Sequence, residues 1–145
     1  MQAFILDLDN RPGSWADVAE KIADKGVNIL GFGLTGDGHG YVGFVGSDDV
    51  STRKTLDDIR CNYREVDILP VTLEHVPGTA AKLARTLGNG GVNIEFFMPT
   101  GESGGRMIAA VGVDRIDEAR RLLGNQVTSE YGSLWPKAVA RTASG

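Results

Sequence analysis

At 145 residues, 41% hydrophobic and 23% charged, the chain has the composition of an ordinary globular protein, not of a disordered or fibrous one. A net charge of −4 and a pI near 5.1 give it no general attraction for nucleic acid or acidic membranes. The single cysteine, Cys61, excludes a disulfide framework or a cysteine zinc site within one chain. Residues 1–7 lack the cationic start and long apolar run of a signal peptide. No stretch approaches eighteen apolar residues, so a cytoplasmic protein is expected.

In chain order, Phe4, Leu6 and Leu8 alternate with Ile5 and Asp7, the period of a half-buried strand. Pro12-Gly13 breaks it, and Ser14 with Asp17 three residues on is a helix-start signal. Trp15, Val18, Ala19 and Ile22 recur at helical spacing until Gly26 stops the helix. Asn28 opens a strand in which Leu30, Phe32 and Leu34 alternate with Gly31 and Gly33. Residues 36–40 form a hairpin loop and 41–45 the return strand. Asp48-Asp49 precedes a helix carrying Val50, Leu56 and Ile59. A fourth strand near 63–67 runs into the next, 68–74. Gly31, Gly33 and Gly43 leave one sheet face nearly bare, a feature of close approach by another backbone or ligand, and that face is a candidate oligomer contact.

The order then repeats at an offset of 65 residues. Between Pro12 and Ile29, eight of eighteen positions are identical to their partners, among them Pro-Gly and Gly-Val-Asn-Ile, so the chain is two copies of one unit. The second copy has a helix face of Ala80, Leu83, Ala84 and Leu87, strands near 93–98 and 106–113, and a helix carrying Ile116, Ala119, Leu122 and Leu123. A short last strand is expected near 127–130. Each unit reads βαββαβ, an α+β, ferredoxin-like antiparallel sheet with both helices on one face. Expected boundaries are 1–68, 69–132 and a loose tail, 133–145, which Leu134-Trp135 would pin to the body. Units of about 65 residues bury too little surface to be robust alone, so the two pack side by side.

The loop Asn10-Arg11-Pro12-Gly13-Ser14 and its counterpart His75-Val76-Pro77-Gly78-Thr79 each open a helix. A helix start presents unpaired N–H groups and the positive end of the dipole, which suits a carboxylate. Asn10, and Asn28 and Asn93 beside Ile29 and Ile94, add amide donors and acceptors. With the topology placing Asn10 and Asn28 near one end of the sheet, such a site suits a zwitterionic amino acid. The same residues also make good turns and strand starts without any ligand.

A strand, Asp-Asn-Arg-Pro-Gly-Ser, an Ala-rich amphipathic helix and Gly-Val-Asn-Ile resemble the ACT domain, and the Glu-His-Val-Pro-Gly-Thr copy resembles a second one. The resemblance covers residues 2 to 131. It implies a tandem ACT protein: a cytoplasmic, allosteric, non-catalytic regulatory module without a cofactor, binding a free amino acid at the interface of paired units. It also implies ligand contacts from Asn10, Asn28 and Asn93, a homodimer, and a separate enzyme of amino-acid metabolism as partner. Two departures stand out. Leu8 occupies a position where the family often has His, and His75 stands where the first copy has Asn10, so the two sites differ.

Three rival readings remain. An interaction scaffold with vestigial sites shares every feature named so far. An RNA-recognition motif shares the βαββαβ order, but Tyr41 and Phe44 are three apart and point to opposite faces, so they build no stacking platform. For an enzyme, His39 and His75 occupy non-equivalent repeat positions, with no convergent metal ligands or paired nucleophile and base.

Overall fold

The computed structural model describes residues 1–128; the expected tail at 133–145 and the end of the expected last strand, 129–130, lie outside them. The elements run β1 (Gln2–Asp9), α1 (Ser14–Ala23), β2 (Ile29–Gly36), β3 (His39–Gly46), α2 (Asp49–Asp58), β4 (Tyr63–Glu74), α3 (Thr79–Asn89), β5 (Ile94–Ser103), β6 (Arg106–Val113) and α4 (Ile116–Leu123). A short 3₁₀ turn, Gly124–Gln126, follows. The six strands form one antiparallel sheet in the order β2-β3-β1-β4-β6-β5. The βαββαβ repeat and the helix-covered antiparallel sheet are as the sequence leads one to expect.

β4 joins the halves. Its first part pairs with β1 (Gln2 opposite Asp67, Leu6 opposite Tyr63), and its second with β6 (Asp67 opposite Val113, Glu74 opposite Arg106). It is continuous through residues 68 and 69. Beyond β1, the free edge of its second part is touched by Val127, which bridges Val71.

Strand alternation assigns the faces. Phe4 and Leu6 of β1 point to the face where Val18 and Ile22 of α1 and Leu56 of α2 pack, forming the first core. Leu69, Val71 and Leu73 of β4 point to the same face and pack with Leu83 and Leu87 of α3 and Ala119 and Leu123 of α4. All four helices therefore cover one face. The other carries a third cluster drawn from both halves, with Ala3, Val45, Val66, Ile68, Phe96, Met98 and Ala110 all buried.

Among the described residues no helix covers that second face; the sheet covers itself. Phe32 of β2 and Phe96 of β5 have ring centroids 5.3 Å apart, although their strands are the two opposite edges. Five strand spacings in a flat sheet would separate them by about 24 Å. The sheet must curl until its edges meet, with Phe96 as the wedge.

The glycines explain how close this approach is. A side chain at Gly43 would start 3.0 Å from the Phe96 ring, and one at Gly112 only 2.6 Å from Phe96 Cβ. Gly31, Gly33 and Gly43 do not bare one common face: Gly31 lies opposite Phe44 and Gly43 opposite Phe32, on opposite sides of the sheet. The close approach at Gly43 is to the chain's own second half.

Two helix readings shift. Ser14 and Asp17 make no cap, because Gly13 takes the capping position at φ 83°, and Asp17 instead lies 3.7 Å from Arg11. In α2, Val50 is 71% exposed and Ile59 faces solvent, while Thr52 and Thr55 are buried beside Leu56. Their hydroxyls donate to the Asp48 and Ser51 carbonyls, so threonine methyls can enter a core whose hydroxyls are already satisfied.

Phe96→Ala should destabilise the protein by about 3–5 kcal/mol and Gly112→Val by about 1–3 kcal/mol in urea unfolding. Val50→Ala should stay within about 0.5 kcal/mol; a large loss there would show that α2 packs in the other phase.

Candidate functional site

The two Pro-Gly loops close their strands in the same way. Gly13 (φ 83°) and Gly78 (φ 93°) sit in the left-handed region immediately before α1 and α3, where a side chain would be strained. Neither helix start receives a side-chain cap. The Ser14 and Thr79 amides turn back to the Arg11 and Val76 carbonyls, and those of the next two residues in each helix are left to solvent or to an added acceptor.

Clefts flank these starts in pairs related by the 65-residue offset. One pair measures about 540 Å³ in each half. In the first half Asp7, Asp9, Ser14, Asp17, Lys21 and Cys61 line it; their equivalents Thr72, Glu74, Thr79, Lys82, Thr86 and Gln126 line the second. Arg11, Arg60 and Asn62 complete the first, while Gly78 and Arg106 complete the second. A narrower pair lies on the other side of each loop. The first, about 140 Å³, is bounded by Asn10, Arg11, Trp15, Leu34 and Tyr41. The second, about 380 Å³, is bounded by His75, Val76, Thr79, Ala80 and Met107.

Each wide cleft carries both signs of charge. In the second half, Glu74 faces Arg106 across the β4–β6 pair, with Lys82 on α3. In the first, Arg11 is held near Asp17 and Asp7 pairs with His39, leaving Asp9, Lys21 and Arg60 as the other charged residues of the lining. The offset turns Asp17 into Lys82, Asp7 into Thr72 and Lys21 into Thr86, so the same architecture carries a different charge pattern.

The asparagines lie elsewhere. Asn28 accepts from the Ile29 amide at 3.0 Å through its own side chain, and its amide donates to Ser47 Oγ at 2.8 Å. The Asn93 amide donates to Asp114 at 2.9 Å. Both residues open a strand, and neither lines the clefts just described.

Asn10 and Asn28 are not at one end of the sheet. Asp9 pairs with His39, whereas Ile29 pairs with Gly46 at the far end of β3. Chain direction is the reason: α1 carries the chain back across about 15 Å between the Pro-Gly loop and Asn28. Across halves the separation persists. Ile94 lies opposite Val113, Val113 opposite Asp67, and Asp67 opposite Gln2. That row is eight residues of β1, about 27 Å, from Asn10. Within one chain, therefore, neither Pro-Gly loop meets the asparagine of the other half.

Tyr41 is 45% exposed while Phe44 is fully buried, on opposite faces as their spacing requires. His39 Nδ1 lies 2.9 Å from Asp7 in a surface pair. Burial pushes the Cys61 thiol up from its ordinary value. Burial, with the hydrogen bond to Asp57, also pushes the Tyr63 phenol up to about 12. Both shifts move these groups away from nucleophilic or acid–base work at neutral pH. The cleft cations Lys82 and Arg106 were missed in the sequence reading; comparing Asp17 with Lys82 across the repeat would have found the first.

No family model matches the sequence, and no curated protein matches it. Solved structures do. The protein BT0572 from Bacteroides thetaiotaomicron matches with a TM-score of 0.71 at 21% identity, over 84% of this chain and 85% of that one. The regulatory subunit of aspartate kinase from Thermus thermophilus matches at 0.58 and 18%, over 84% and 89%. A structure of the aspartokinase alpha and beta subunits matches at 0.59 and 23%, over 84% and 89%. At these identities the likeness is one of fold, and the fold is the ACT-like one.

Cys61 should react with iodoacetamide more slowly than a free thiol at pH 7.5 and speed up as pH rises, because a raised thiol pKa means less thiolate. A rate equal to that of free cysteine would contradict its burial.

Proposed function

We propose that this chain is a non-catalytic regulatory protein whose two units, 1–68 and 69–132, each bind a free amino acid against a Pro-Gly helix start. The observation that carries the reading is the duplicated cleft. Both copies of the sequence build one of about 540 Å³ at an uncapped helix start, and both line it with cationic and acidic side chains. A zwitterion needs that combination: cations and first-turn amides for its carboxylate, an acidic group for its ammonium. In the second half, Lys82 and Arg106 take the first role and Glu74 the second. In the first half, Ser14 and Lys21 take the first role and Asp9 the second, while Arg11 is engaged by Asp17 and Asp7 by His39.

The likeness of fold to regulatory chains of aspartate kinase supports a regulatory role. Under this reading the protein is a cytoplasmic homo-oligomer, and occupancy biases the surface it offers to a separate enzyme of amino-acid metabolism. Arg11 and Ser14, with Gly78 and Thr79, line the wide clefts, Asn10, His75 and Val76 the narrow ones, and Pro12 and Gly13 shape the first loop. Asn28 with Ile29, and Asn93 with Ile94, contribute only if another unit brings them there. A scaffold with vestigial sites is the second reading, favoured by that same separation of the asparagines from the loops.

Thermal shift with each of the twenty amino acids tests the proposal. One or a few should raise the midpoint, since a ligand at a hundred times its Kd adds about 2.7 kcal/mol. Lys82→Met should weaken binding at the second cleft about tenfold. A silent screen on folded protein would leave the scaffold.

A further inference from the structure

Divergence between the repeats has moved every cation of the two wide clefts. At the 65-residue offset Lys21 stands against Thr86, Arg60 against Asn125, Lys82 against Asp17 and Arg106 against Tyr41. The carboxylate at the strand end alone keeps its sign, as Asp9 in the first half and Glu74 in the second.

Contacts within the chain engage some of these charges. In the first cleft Arg11 lies 3.7 Å from Asp17, and Asp7 lies 2.9 Å from His39 Nδ1. That leaves Lys21, Arg60 and Asp9, while the second cleft holds Lys82, Arg106 and Glu74. None of these six side chains has an ion pair or hydrogen bond among the described residues. Each cleft thus ends with two unengaged cations and one unengaged carboxylate, although the cations come from different positions. The second lining offers little else. Its Thr79 and Thr86 hydroxyls already donate to the Val76 and Lys82 carbonyls. Its apolar residues are Pro77 and Leu83, the latter only 1% exposed, so an aliphatic or aromatic side chain finds almost no apolar wall.

We infer that each wide cleft takes an amino acid with a second acidic group on its side chain, an amino dicarboxylate such as aspartate or glutamate. This names the ligand class of the amino-acid reading and rests on it. Two carboxylates and one ammonium match two cations and one carboxylate sign for sign. A neutral amino acid would leave one cation without a partner. A dicarboxylate lacking the amine would meet Asp9 or Glu74 with no positive group between like charges. In the second cleft Lys82, on the first turn of α3, is placed for the α-carboxylate. Arg106, opposite Glu74 on β6, is placed for the side-chain carboxylate, which a guanidinium can hold through two parallel hydrogen bonds. Glu74 then takes the ammonium. In the first cleft Lys21 and Arg60 share the two carboxylates and Asp9 takes the ammonium.

Titration calorimetry of the full chain with L-glutamate, L-aspartate and their isosteric amides, glutamine and asparagine, tests the inference. At least one acidic amino acid should bind about tenfold or more tightly than its amide, the gain expected from one charge-assisted pair. Succinate, which lacks the amine, should bind about tenfold or more weakly than that acid. Arg60→Gln and Arg106→Gln change exposed residues, and each should remove the preference at one of the two sites. R60Q/R106Q should bring acid and amide within about threefold of each other, with an unchanged circular dichroism spectrum. Equal affinity for acid and amide in the wild type overturns the inference, as does succinate binding as tightly as the acid or a preference that survives in R60Q/R106Q. The same titrations separate the two proposals. Neutral amino acids binding better than acidic ones keep the amino-acid reading and remove this one, whereas a chain that binds no amino acid removes both.

Discussion

The structure depends on one strand being used twice. β4 gives its first half to β1 along one edge and its second half to β6 along the other. Twelve residues of continuous backbone thus hold a four-stranded and a three-stranded half in a single hydrogen-bonded sheet. Because the partners take opposite edges and successive halves, the units are displaced along β4, and their Pro-Gly loops end at opposite ends of the molecule. The distance between each loop and the other half's asparagine follows from that displacement.

The same sharing requires the sheet to curl. A flat six-stranded sheet with helices on one side would leave the other side wet, and this chain puts Val45, Val66, Ile68, Phe96 and Met98 there. Folding the halves toward each other removes that surface from water, and apolar area is the main driving term available. Phe96 is the closing element, lying against Phe32 of the opposite edge, with Gly43 and Gly112 as the positions that admit it. Among the described residues the curl leaves the outer end of β2 uncovered, so one constraint explains both the buried second face and the open edge.

Duplication preserved the backbone more strictly than the chemistry. Both helix starts keep a left-handed glycine and both keep an acidic residue at the strand end, Asp9 and Glu74. Around them the side chains diverge: Asp17 against Lys82, Tyr41 against Arg106, Asn10 against His75. Glycine at φ near 90° is a backbone requirement that other residues meet only with strain, whereas the cleft walls are exposed and free to change.

The repeat, the βαββαβ order, the single helix-covered face and both Pro-Gly helix starts were legible in the sequence. Each rests on local rules: alternation in strands, a 3.6-residue period in helices, and glycine where φ must be positive. The phase of α2 was not legible, because Thr52 and Thr55 look polar until their hydroxyls bond back to the preceding turn. The placement of Asn10 and Asn28 was misjudged for a related reason, since a motif shows which residues are retained and not which end of a helix they occupy. The curl, the Phe32–Phe96 contact and the pairing of charges in the clefts belong to tertiary structure alone. They join residues from strands at opposite edges of the sheet, or from a helix and a strand that no local pattern links, and only the packed chain decides which of them meet.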